Sequence, residues 1–161
     1  MTPGVMVSIS VALDADTAFD IFTKDVGLWW KRGPAYRMRP RKNGHMTFEP
    51  REGGRLLETF DDGTEPAVFA SIRIWEPGKR IVLDWHTGNY KPGEKTEVEI
   101  RFKPTNGGTR VIVEHRGWEA LPPDHPVRHR MPEPQFLKLT GDWWRALVNS
   151  YASRSEMRRR P

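Results

Sequence analysis

Phe48-Glu49-Pro50-Arg51-Glu52-Gly53-Gly54-Arg55-Leu56-Leu57-Glu58 is the stretch whose reading decides the fold. Pro50 lacks the amide hydrogen that a central strand needs, so the strand before it stops there. Gly53-Gly54 accepts positive φ at little steric cost and marks a turn or bulge. Arg55 to Phe60 then reads as a returning strand, closed by Asp62-Gly63, a strong hairpin signal. A chain that reverses over so few residues pairs its strands antiparallel, because a parallel pair needs a long crossover.

The same punctuation extends in both directions. Upstream, His45 to Glu49 is the partner strand. Downstream come a strand from Ala67 to Trp75, the Pro77-Gly78 turn and a strand from Lys79 to Thr87. A longer loop, Asn89 to Glu94, contains Pro92-Gly93. Lys95 to Lys103 and Thr109 to Trp118 form the last pair, joined through Asn106-Gly107-Gly108. Thr96, Val98, Ile100 and Phe102 face one way, and Glu97, Glu99, Arg101 and Lys103 the other. Val111, Val113 and His115 share the apolar face of the last strand. Trp75 is read as facing outward. A sheet with one charged face needs a cover on its apolar side only.

Helices must supply that cover. Val5, Val7, Ile9 and Val11 alternate as a first strand, and Asp14 can cap a helix from Ala15 to Lys24. Gly27 interrupts it, and Leu28-Trp29-Trp30 falls on a short second helix or turn. Gly117 to Pro134 is proline-rich and reads as loop. Phe136, Leu139, Trp143, Leu147 and Tyr151 then recur at spacings of three and four, the mark of an amphipathic helix. Gly141 marks a place where this helix starts, bends or breaks. The order gives an α+β domain: a curved antiparallel sheet of roughly six to seven strands against a long C-terminal helix, with two short helices after the first strand.

With 161 residues, the chain fits one domain over 1–161, its last stretch, 154–161, a frayed basic tail. It has no cysteine, which excludes disulfides, thiolate metal ligands and a cysteine nucleophile. No apolar run approaches the roughly 20 residues that span a bilayer. Met1-Thr2-Pro3-Gly4-Val5 lacks a basic segment followed by an apolar one, so the expectation is no signal peptide and a cytoplasmic protein. The net charge is +5, with Lys31, Arg32, Arg37, Arg39, Arg41 and Lys42 in one acid-free stretch and Arg158, Arg159 and Arg160 near the end. The stretch is expected to be a mobile, exposed loop near a pocket entrance. It lacks the interleaved aromatics of a nucleic-acid platform, apart from Tyr36, so no nucleic-acid partner is expected.

Six blocks in order resemble one family: Phe19-Asp20-Ile21-Phe22-Thr23, Trp29-Trp30, Glu49-Pro50-Arg51-Glu52-Gly53-Gly54-Arg55, Trp75-Glu76-Pro77, Leu83-Asp84-Trp85 and Gly108-Thr109-Arg110 through His115-Arg116-Gly117. Together they are similar to the START-like, helix-grip superfamily, in its activator-of-heat-shock-protein-ninety-ATPase-like branch. The resemblance implies that the helix grips a space above the sheet rather than sealing it. It also implies a small hydrophobic, lipid-like or aromatic ligand there, with a link to chaperones and stress responses. The Asn89–Glu94 loop and the Pro122–Pro134 segment look individual to this chain, and both could shape a pocket mouth.

The grip geometry picks out the expected ligand contacts. The strands supply Phe48, Leu56, Ile72, Leu83, Trp85, Val98, Ile100, Val113 and His115. The helix supplies Phe136, Trp143 and Leu147, and Trp29 and Trp30 close one end. Large aromatics on both walls either interdigitate into solid core or hold the walls apart. His115 is either a hydrogen-bonded core residue or a ligand contact; if buried, it is neutral. Glu58 is expected to point to water; turned inward, it and His115 would suit proton transfer. His125 and His129 stand four apart, but the surrounding prolines argue against a helical metal site. No catalytic set, metal or cofactor is assigned.

Three functions stay open: a ligand-binding domain, an enzyme of the same fold with cyclase- or hydrolase-like chemistry, and a module that regulates a chaperone ATPase. The chain is expected to be a monomer or a homodimer, with no membrane partner.

Overall fold

The computed structural model describes residues 4–159. Strand β1 (Val5–Val11) leads into helices α1 (Ala15–Lys24) and α2 (Val26–Trp29). Six strands follow: β2 (Gly44–Phe48), β3 (Arg55–Phe60), β4 (Ala67–Glu76), β5 (Arg80–Trp85), β6 (Thr96–Thr105) and β7 (Gly108–Arg116). Two single turns of 3-10 helix, at Trp118–Ala120 and Pro126–Arg128, precede the long helix α3 (Glu133–Arg159).

All seven strands join one curved antiparallel sheet in the order β1-β7-β6-β5-β4-β3-β2. Each step from β2 to β7 is a hairpin between neighbours in sequence, which is why the turn signals alone located the strands. Only β1 crosses over, to pair with β7, with Val7 opposite Val113. The Asp14 side chain accepts from the Thr17 amide at 2.7 Å and starts α1 as its sequence implies. Tyr151 on α3 donates to the Ala18 carbonyl at 2.9 Å, tying the long helix to α1. No described helix is long and apolar enough to cross a membrane.

The outer face of the sheet is a lattice of ion pairs. Glu99 accepts from Arg80 at 3.2 Å, from Arg101 at 3.2 Å and from Arg116 at 3.0 Å, while Glu97 pairs with Arg73 and Arg116. Burial works against the Glu99 charge, yet hydrogen bonds from Arg116 and Arg80 hold its carboxyl below the usual range. The arginines of this face are therefore neutralised within the sheet itself.

Strand β4 departs from simple alternation twice. Leu56 pairs with Ala70 and Leu57 with Val68, so Phe69 is an extra residue on β4. Ile72 pairs with Leu83 and Ile74 with Val82, so Arg73 is another. Each bulge moves the residues beyond it to the opposite face. Phe69 and Ala70 are consequently both buried. Trp75 does not face outward: the second bulge turns it inward, where its ring meets Phe19 at 5.2 Å.

Helix α3 is also displaced from its predicted face. Its buried side is Phe136, Trp144, Leu147, Val148, Tyr151 and Ser155, while Leu139 is exposed. The helix runs unbroken past Gly141, where an added Cβ would meet only Val5 at an ordinary 3.6 Å. The segment expected to fray is helical to Arg159, with Arg154 and Arg158 bonded to Asp25 at 3.0 and 2.6 Å. Arg160 and Pro161, like Met1 to Pro3, lie outside the described residues.

Candidate functional site

The inner space divides into a solid half and a hollow half. Beside α1, Phe22 packs against Trp29, Phe48, Phe102 and Tyr151 with ring centroids 4.9 to 6.2 Å apart. Toward the start of α3 the walls stand apart and leave a cavity of about 670 Å³. Its deep wall is Phe69, Trp85, His115, Trp118, Phe136 and Trp144, all buried. Pro34, Ala35, Gly88, Asn89, His129 and Leu139 line it as well and are exposed, so they mark its mouth.

Of the residues predicted to touch ligand, the fold brings Trp85, His115, Phe136 and Trp143 to this cavity. Trp29, Phe48, Leu56, Ile72, Leu83, Val98, Ile100, Val113 and Leu147 pack into the solid core instead. Trp30 lies under the cavity: its ring touches Phe69, Trp85, Trp143 and Trp144, and its indole donates to the Tyr36 carbonyl at 2.9 Å. The predicted set missed Tyr36, Met38, Phe69, Tyr90, Trp118 and Trp144. Helical spacing from Phe136 reaches Trp144 as readily as Trp143, so that residue was within reach. Phe69 was not, because its inward position depends on the bulge.

His115 is the polar centre of the deep wall. Its Nδ1 accepts from the Trp144 indole at 3.1 Å, and its Nε2 lies 2.8 Å from the Thr96 hydroxyl. An indole nitrogen only donates, so Nδ1 must be the bare nitrogen and Nε2 carries the hydrogen. Burial pushes the imidazole pKa down to about 3, which keeps the ring neutral. The Thr96 oxygen also lies 3.1 Å from the Tyr90 hydroxyl.

Two loops close the mouth. His125 is buried, with Nδ1 accepting from the Val127 amide at 3.1 Å and Nε2 2.8 Å from a Glu94 oxygen. That bond fastens the Asn89–Glu94 loop to the proline-rich segment, and the Tyr90 and His125 rings meet at 5.2 Å. Both nitrogens of His125 are thus engaged, and His129 follows in a left-handed conformation at φ 49°. Among the described residues no group of three His, Asp or Glu could hold a metal ion.

The third side of the mouth comes from the basic stretch, which lies at the entrance and is largely exposed as expected, apart from Arg37. Arg37 is buried and donates to Glu58 at 2.7 Å, to the Trp30 carbonyl at 3.1 Å and to the Lys31 carbonyl at 3.0 Å. Glu58 does not point to water; it is fully buried. It shares the inner face with Met46, its partner on β2. Gly44 makes room for it, since an added Cβ there would stand 2.2 Å from a Glu58 oxygen. Glu58 does not line the cavity, so it forms no proton-transfer pair with His115. With Arg37 fixed, Tyr36 stacks on Trp143 at 5.7 Å and the Trp143 indole donates to the Ala35 carbonyl at 2.6 Å.

A second recess, on the outer face, holds Ser71, Asp84 and His86. Ser71 Oγ lies 2.9 Å from His86 Nε2. Asp84 faces Arg73 at 3.5 Å and Lys95 at 3.7 Å rather than the imidazole, so the three do not form a hydrolytic relay.

The family model described as activator of Hsp90 ATPase homolog 1-like protein matches residues 12–133. No curated protein matches the sequence. Among solved structures, a structural-genomics protein from Mesorhizobium loti is 16% identical, with a TM-score of 0.66 over 96% of this chain and 98% of its own. The self-sacrificing resistance protein CalC from Micromonospora echinospora is 22% identical, with a TM-score of 0.63 over 97% of this chain and 96% of its own. The Aha1 dimer from Colwellia psychrerythraea is 14% identical, with a TM-score of 0.62 over 92% of each chain. At these identities the likeness is one of fold.

Proposed function

The chain belongs to the activator of Hsp90 ATPase homolog 1-like family, and from that premise we propose that it binds a small hydrophobic or aromatic, amphipathic molecule between the sheet and α3. The observation that carries this reading is the aromatic cavity of about 670 Å³. Its volume falls within the roughly 300–1,000 Å³ typical of ligand sites. Its deep polar group, His115, is neutral, so an apolar guest meets no buried charge there.

The test is thermal unfolding of the whole protein with naphthalene or n-decanol as probes. The melting temperature should rise with free probe concentration, as it does for anything that binds only the native state. No shift with either probe, together with a crystal structure showing a filled interior, would sink the reading.

The family's description favours a second reading, in which the domain regulates a chaperone ATPase through its surface. Steady-state ATPase of a purified Hsp90 with and without this protein decides it. The dimeric Colwellia neighbour makes a homodimer the assembly to test, by sedimentation at micromolar concentration.

A further inference from the structure

The cavity has a hydrogen-bond polarity. Of its four tryptophans three are engaged: Trp118 donates to the His115 carbonyl, Trp143 to the Ala35 carbonyl and Trp144 to His115 Nδ1, while the Trp85 indole makes no hydrogen bond among the described residues and is the rival donor. The three engaged donors are committed to the protein. The chain of bonds from Trp144 runs on through His115 to Thr96 and Tyr90. Because Nδ1 of His115 must accept, Nε2–H must donate to the Thr96 oxygen. Thr96 is buried, so its own hydroxyl hydrogen needs an acceptor in the interior, and Tyr90 Oη is the acceptor within reach. The Tyr90 oxygen is then an acceptor in the relay. Its own hydrogen has no partner among the described residues, and Tyr90 lines the cavity.

We propose that the Tyr90 hydroxyl is the fixed donor that anchors the ligand, and that the ligand is a flat aromatic molecule carrying a neutral acceptor oxygen, such as an aryl ketone. The neutral form follows from the surroundings. Arg37, the arginine among the lining residues, is already paired with Glu58, and His115 carries no charge. An anion would lose its water without gaining a partner at depth. Burial pushes the Tyr90 pKa up to about 12, so the phenol keeps its hydrogen across the working range. Trp144, His115 and Thr96 are positioning residues: they fix which way the Tyr90 hydrogen points without touching the ligand oxygen.

This proposal rests on the binding function, and the experiment separates the two. The probes are 2-acetylnaphthalene and its isostere 2-isopropenylnaphthalene, which has a methylene in place of the carbonyl oxygen. Dissociation constants are measured by quenching of tryptophan fluorescence. The wild-type protein should bind the ketone roughly five- to tenfold more tightly, the worth of one net hydrogen bond. Tyr90→Phe should remove that preference, so that the two probes bind this variant equally. Thr96→Val should reduce it while retaining Tyr90. The infrared carbonyl stretch of the bound ketone, measured on the wild-type protein, should lie below its value in cyclohexane. Equal affinity for the two probes, or an unshifted carbonyl band, overturns the anchor and leaves the cavity's binding role standing. A preference that survives Tyr90→Phe and disappears in Trp85→Phe moves the anchor to an indole and also overturns it. Binding of neither probe removes the binding function and the anchor with it.

Discussion

Replacing Arg37 with Met should destabilise the protein severely, although Arg37 sits in a stretch that reads as a surface loop. The change strands the Glu58 carboxylate in a fully buried position. It also removes donors from the carbonyls of Lys31, Trp30 and Gly44. Breaking a buried pair from one side costs about 3–5 kcal/mol. For a chain of this size each kcal/mol lowers the melting temperature by about 2–4 °C, so a fall on the order of 6–20 °C is expected. Glu58→Leu strands the guanidinium instead and should cost a similar amount. The double variant is the informative one. One Glu58 oxygen has no hydrogen-bond partner, so the pair is imperfectly satisfied and removing both charges together forfeits little. The double variant should be more stable than either single one, short of wild type because the three carbonyls stay unpaired. Urea unfolding of the four proteins completes the cycle. Single variants costing under about 1 kcal/mol, or costs that simply add, would refute the claim that this pair holds the loop down.

Gly44→Ala should destabilise through contact with Glu58, and the cost should shrink in a Glu58→Ala background, read by the same unfolding assay. His115 contributes a pH dependence: free imidazole titrates near 6.5 and the buried ring near about 3. Between those values the unfolded chain holds a proton that the folded chain does not. Stability from this group is therefore complete above pH 6.5 and falls as pH drops toward 3, by roughly 1.4 kcal/mol per pH unit. His115→Gln should flatten that part of the profile; an unchanged slope would place the imidazole in water. Trp143→Ala should abolish stabilisation by naphthalene and also lower the melting temperature of the free protein, since the ring meets Trp30, Tyr36, Trp85 and Trp144 and its indole holds the Ala35 carbonyl; thermal shift measures both. Nucleic acid should not bind at submicromolar affinity in physiological salt, because Arg37 is paired with Glu58, Lys42 with Asp62, and Arg39 donates to the Glu65 carbonyl; an electrophoretic mobility assay checks this.

The strands were legible because each hairpin carries its own local mark. Gly63 at φ 80° and Gly78 at φ 75° sit where Asp62-Gly63 and Pro77-Gly78 announced turns. Local signals of that kind do not depend on the rest of the chain. Which side chains reach the cavity is a different question, because it depends on phase. Counting by twos along β4 places Phe69 outside and gives Trp75 the wrong face, and the two bulges that correct the count have no sequence signature of their own. Glu58 misled for another reason. Alternation did put it on the inner face, but a lone carboxylate belongs in water unless a partner arrives. The partner, Arg37, is distant in sequence and sits in a run of basic residues whose composition suggests only solvation.

The division of the interior explains why so many predicted ligand contacts became core. An aromatic-rich domain can both fold firmly and hold a cavity if the two tasks use different ends of the sheet. Phe22, Trp29, Phe48, Phe102 and Tyr151 interlock beside α1, where the polar atoms of Trp29 and Tyr151 are bonded to the carbonyls of Phe22 and Ala18 and the rings themselves fill the space. At the other end the indoles are held by directed bonds: Trp30 to Tyr36, Trp118 to His115, Trp143 to Ala35 and Trp144 to His115. A ring fixed by its nitrogen cannot swing to fill the space beside it, so such bonds keep a cavity open where apolar contacts alone would let it collapse. Truncation at the solid end should therefore act mainly on stability. Changes to the bonded ring nitrogens should act mainly on binding.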